Sequence, residues 1–134
     1  MTGSQARADM FVDLDSDPRT DAPSQADERS MLTAFLRWQR ETLELKCSGL
    51  TAEQLARRAV EPSTMSLLGL LRHMADVERL WFRERIAGED APPPYKRPDN
   101  WDADFDDLDP ADAEAAYARY LAEVHAGVPA SLAA

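Results

Sequence analysis

The stretch that most constrains the fold is residues 66–88, SLLGLLRHMADVERLWFRERIAG. Leu70, His73, Val77 and Leu80 with Trp81 repeat at the i, i+3, i+4, i+7 spacing of one helix face. Arg72, Asp76, Arg79, Arg83 and Glu84 fall on the other side. This spacing predicts an amphipathic helix with an imidazole in its inward stripe, where leucine would be the plain apolar choice. An inward imidazole is either a metal ligand or a core residue hydrogen-bonded to a neighbour or to water.

The chain around this helix has 134 residues, enough for one domain and one hydrophobic core. Its single cysteine, Cys47, excludes an internal disulfide and cannot build a cysteine metal site by itself. The formal net charge of −10, with no basic run, argues against nucleic acid, because phosphate neutralisation needs a lysine- and arginine-rich surface. No apolar run approaches the ~20 residues of a membrane span. The first residues, MTGSQARADMFVDLDSD, lack the apolar segment of a secretory signal. The expected location is therefore the cytosol, and neither nucleic acid nor membrane is an expected partner.

Residues 1–26 are polar and aspartate-rich, with prolines at Pro18 and Pro23, and read as a flexible acidic arm. Met10, Phe11 and Val12 form a short apolar patch within it, suited to docking on the body. Residues 27–48 read as the first long helix, with Met31, Leu32, Phe35, Leu36, Leu43 and Cys47 on one broad face and Gln39 as a polar interruption. Gly49 is its expected stop. Thr51 and Gln54 form a capping box that opens a short helix anchored by Leu55. Ser66 or Thr64 caps the central helix. Gly69 lies early in it, which close approach of another helix would explain.

Residues 89–108 read as a long loop with Pro92, Pro93 and Pro94, two aromatics (Tyr95 and Trp101) that suggest packing across the body, and a run of aspartates. The run does not match the EF-hand ligand pattern. Asp109 followed by Pro110 opens the last helix, with Ala113, Ala116, Tyr117, Tyr120, Leu121 and Val124 inward and His125 beside that face. Gly127 and Pro129 are its expected stops, which leaves residues 127–134 as an irregular tail. The expected fold is all-α, with three long helices and one short one.

These residues resemble a known family. Asp27-Glu28-Arg29, Leu36 to Leu43, Lys46 to Leu50 and Glu53 to Arg58 look like the opening of DinB-like proteins, more narrowly of the mini-circle-protein branch, a domain of unknown function. The likeness is strongest from Pro62-Ser63-Thr64 through His73 to Trp81-Phe82, and it covers about residues 27–126. It implies a DinB/YfiT-like up-down helical bundle of four helices. The fourth helix is then missing from this chain or supplied by a partner, as in a truncated or frameshifted member or a homodimer.

The resemblance also implies a divalent metal, zinc or nickel, often held by three histidines. Some relatives use it for thiol-dependent transferase or isomerase chemistry with a small-molecule thiol, mycothiol or bacillithiol. The first metal histidine maps to His73. The other two belong to an H-x-x-x-H-like pair on the fourth helix, and His125 matches no mapped ligand position. The expected function is thus that of a DinB-like, thiol-transferase-type enzyme whose metal site is incomplete in this chain. Gln39, His125 and Tyr117 are the pocket candidates. The alternative is a non-catalytic interaction or dimerisation module of the same family.

Overall fold

The computed structural model describes residues 11–133, with side chains described as far as Val128. It divides into two units, Met1–Leu45 and Lys46–Ala134. Met10 of the apolar patch lies outside the described residues.

In the first unit, α1 (Glu28–Cys47) starts at Asp27, whose carboxylate accepts from the Ser30 amide at 3.0 Å and from its hydroxyl at 2.6 Å. This satisfies one of the free amides that every helix start leaves. The segment before it is held through Arg19. Its guanidinium lies 4.0 Å from the Trp38 ring centre and 5.3 Å from that of Phe11. The same group donates to Asp17 at 2.7 Å and to the Thr42 hydroxyl at 3.0 Å. A cation between two aromatic faces keeps its electrostatic attraction while losing little hydration from its edge.

The second unit carries the other helices. These are α2 (Ala52–Leu55), α3 (Leu67–Glu78), which continues as a π-helix over Arg79–Ile86, α4 (Ala103–Asp106) and α5 (Ala113–Ala133). Thr51 and Gln54 exchange both capping-box bonds at 3.2 and 2.9 Å. Ser66 caps α3 by accepting from Gly69 N at 3.0 Å, and Asp109 caps the 3₁₀ turn Pro110–Asp112 that leads into α5. The main packing partners are α3 with α5, α3 with α4, and the π-helix with α5. Leu68, Leu71, Ala75, Ala103, Ala116 and Tyr120 form the buried centre. Each large apolar side chain buried there contributes roughly 1.5–3 kcal/mol. The fold is all-α, with no strand among the described residues, and is compatible with a DinB-like helical bundle.

Three expectations are corrected. The central helix is not uniform. Past Glu78 it widens, and the Ala87 amide reaches back five residues to Phe82 O at 3.1 Å. Apolar spacing alone does not separate the two windings. Second, α5 does not stop at Gly127 and Pro129 but runs to Ala133. Gly127 is there for closeness: a β-carbon on it would lie 3.0 Å from Phe82 Cβ. Third, the buried side of α3 is rotated from the predicted stripe. Leu68, Leu71, Arg72, Ala75, Asp76, Glu78 and Arg79 are buried, whereas Leu70, His73 and Val77 are only half-buried and Trp81 is exposed. The reason lies in the loop 89–108, which covers the charged side of α3.

Candidate functional site

The loop is attached to α3 mainly through its backbone. Arg72, on the side of α3 predicted to face solvent, donates to the carbonyls of Ala103 (3.1 Å) and Asp107. Its guanidinium also lies 4.6 Å from the centre of the Tyr95 ring. Arg79 donates to the Ala91 carbonyl and the Glu84 carboxylate. Arg58 reaches the Phe105 carbonyl at 3.3 Å. Carbonyls are obligatory acceptors, so a guanidinium that pairs with them can be buried without a carboxylate. Trp101, expected to pack on the body, is 70% exposed, whereas Tyr95 is half-buried.

This clamp sets one aspartate of the run against the histidine. Ala103 and Asp104 in α4 are fully buried, at 0% exposure. Asp104 Oδ2 is 2.7 Å from His73 Nδ1 and 3.7 Å from Lys96 Nζ. Asp104 Oδ1 accepts from the Phe105 amide at 3.1 Å. The Phe105 ring lies 5.0 Å from the imidazole, centre to centre. His73 keeps 31% of its side chain exposed, so the imidazole is anchored on one edge and open on another.

A second buried carboxylate, Asp76, lies one helical turn beyond His73 on α3. Its Oδ2 accepts from the Lys96 amide at 3.2 Å, while Oδ1 has no hydrogen-bond partner. Burial pushes the Asp76 carboxyl above its ordinary value, and the nearby Asp104 acts in the same direction. The amides of Lys96 and Tyr95, and Arg79, act against it. Two buried guanidinium nitrogens, Arg72 Nε and Arg79 Nε, also lack partners.

The sequence candidates are distributed unevenly. His73 is at the centre of this cluster. Tyr117 is half-buried on α5 and His125 is exposed there. Gln39 is exposed on α1, in the first unit. Among the described residues, no three histidine, cysteine, aspartate or glutamate side chains are grouped so as to hold a metal ion. The residues present therefore do not fit a complete metal site; they supply one imidazole with a carboxylate behind it. Cys47 is buried, and desolvation pushes its thiol up to about 11, so it is not a ready nucleophile.

Asp104, Lys96, Arg72 and Asp76 are the site residues that sequence reasoning missed. Asp104 is one of five aspartates between Asp102 and Asp109 and has no periodic signal of its own. Arg72 and Asp76 were visible only as charges on a helix, whose usual place is in solvent.

Comparison with known proteins bears on the same region. A family model described as mycothiol-S-transferase matches residues 31–130. No curated protein and no solved structure matches the chain.

Proposed function

Since the chain belongs to the mycothiol-S-transferase family, we propose that it is a DinB-like protein of the thiol-transferase type with His73 as its working imidazole. The observation that carries this reading is the half-exposed His73 ring held at 2.7 Å by the buried carboxylate of Asp104. A thiol attacks as its thiolate, so the site must take up the thiol proton. The ring nitrogen not bound to Asp104 is the group that accepts it. Sulfur then bonds to the electrophilic atom of the second substrate, and the displaced group leaves with the bonding electrons. The thiol comes from a small-molecule cosubstrate of the mycothiol kind and not from Cys47. Such chemistry fits a reducing compartment, and we place it in the cytosol. Among the described residues no helix is long and apolar enough to cross a membrane.

A zinc or nickel ion would supply a cation that deprotonates a bound thiol. His73 is the residue of this chain that would hold it, through the same ring nitrogen that otherwise takes the proton, so the two roles are alternatives; we propose that the chain does not complete the ligand set by itself and that this nitrogen serves as the base. A test is to incubate the purified chain with mycothiol and an electrophilic acceptor, with and without added zinc or nickel. Thioether formation that is lost in His73→Gln is expected. No product under any of these conditions, or full activity in His73→Gln, would remove the reading.

A second reading is a non-catalytic helical module that pairs with another copy. Trp81 at 57% exposure and Trp101 at 70% are the exposed aromatics that such pairing would cover. Sedimentation separates the readings: a homodimer that Trp101→Ser and Trp81→Ser dissociate supports pairing, and a monomer at high concentration opposes it.

A further inference from the structure

We propose that Asp104 is the positioning residue for His73, fixing the imidazole proton on Nδ1 and leaving Nε2 as the nitrogen with the free lone pair. The step from geometry to tautomer is short. An ionised carboxylate only accepts hydrogen bonds. With Asp104 ionised, Nδ1, at 2.7 Å from Oδ2, is the nitrogen that carries hydrogen, whether the ring is neutral or charged. In the neutral ring, Nε2 is then the sole acceptor. A carboxylate behind a working histidine is a recurrent device for setting its tautomer and angle.

What distinguishes Asp104 from a chance surface partner is how it is held. Its side chain is only 1% exposed, and its other oxygen is occupied by the Phe105 amide at 3.1 Å. The turn that carries it is fixed at both ends by Arg72, which donates to the carbonyls of Ala103 and Asp107. Arg58 adds a bond to the Phe105 carbonyl. The Phe105 ring fills the notch left by Gly69, where a β-carbon would lie 2.7 Å from Cδ1. Lys96 Nζ, 3.7 Å from the same carboxylate oxygen that meets His73, offsets the cost of burying its charge. The carboxylate thus stands on a turn held through its own carbonyls, with one oxygen fixed by a backbone amide.

The consequence for chemistry rests on the reading of His73 as the working imidazole: Nε2 is the atom that takes the thiol proton. The tautomer itself does not rest on that reading, so the two can fail separately. The test uses the full chain labelled with ¹⁵N and long-range ¹H–¹⁵N correlation of the imidazole nitrogens. It is run over a series of pH values, and the tautomer is read from the neutral ring. The chain has two histidines, so His73→Gln assigns the signals, and His125 serves as the exposed comparison.

His73 is expected in the Nδ1–H form in the wild-type chain. In Asp104→Asn the amide group can donate to the ring, and the proton is expected to move to Nε2. A wild-type His73 in the Nε2–H form, or as a mixture like that of His125, would overturn the proposal. So would an unchanged Nδ1–H form in a folded Asp104→Asn. Should that variant unfold, the wild-type spectrum alone decides. Loss of thiol transfer with the Nδ1–H form intact would remove the functional reading and leave the role of Asp104 standing.

Discussion

Gly69 and Phe105 touch so closely that any side chain at position 69 would collide with the ring: its β-carbon would lie 2.7 Å from Phe105 Cδ1. The ring in turn lies 5.0 Å from His73. Gly69→Ala is therefore expected to displace the turn that carries Asp104. Overpacking of this kind costs about 1–3 kcal/mol. Urea unfolding measures it, and a midpoint equal to the wild type's would contradict the close packing.

Asp76 governs a pH dependence. Burial raises its carboxyl above the ordinary 3.8, so the folded chain holds that proton more tightly than the unfolded chain. Stability from this group is present below 3.8 and is lost as pH rises through the raised folded value. The groups around it are the amides of Lys96 and Tyr95, Asp104 and Arg79. Asp76→Asn removes the titration and keeps an acceptor for the Lys96 amide. The expected difference between variant and wild type, read from unfolding at a series of pH values, moves in the variant's favour across that range. Asp17 and Asp27, whose carboxyls are lowered by bonds to Arg19 and Ser30, act with the opposite sign in both proteins and cancel in the difference.

Glu123 is only 2% exposed and meets two guanidinium groups, Arg83 at 3.1 Å and Arg119 at 2.8 Å. The Arg83 bond ties the π-helix to α5, and the Arg119 bond lies within α5. Glu123→Gln keeps the shape and loses the charge. Because Arg83 and Arg119 both reach solvent, the cost sits at the lower end of the range for charged hydrogen bonds, about 1.5 kcal/mol. Thermal unfolding is the measurement, and a variant as stable as the wild type would show that the network contributes nothing.

Cys47 is expected to resist thiol reagents in the folded protein near neutral pH, since its thiol is buried and pushed up to about 11. Reaction with an aromatic disulfide reagent is expected to be slow in native buffer and complete in guanidinium chloride. Rapid native labelling would show the thiol to be accessible and would reopen its candidacy as a nucleophile.

The sequence carried the local structure well, because local signals depend on neighbours a few residues away. The Thr51–Gln54 box, the Ser66 cap and the Asp109–Pro110 start all appear where the residue types require them. His73 stood out for the same reason, as a polar residue in an apolar spacing. What was illegible depends on contacts between distant residues. Arg72 bonds to Asp107, 35 positions away, and pairings of that kind with the loop allow the charged side of α3 to be buried. Asp104 is chosen from its run of aspartates by the same fold of the loop, 31 positions from His73. Gly127 has two meanings in a sequence, a stop or a close approach, and the Phe82 contact selects the second.

The grip of Arg72 on the loop has a consequence for how this protein can change. It reads main-chain oxygens, and every amino acid brings the same ones. Exposed neighbours such as Trp101, Asp102 and Asp106 are thus free to be rewritten without loosening the hold. A library randomised at those three positions is expected to leave the attachment of the loop unaltered. The loop is in that sense a replaceable fitting on a fixed bracket.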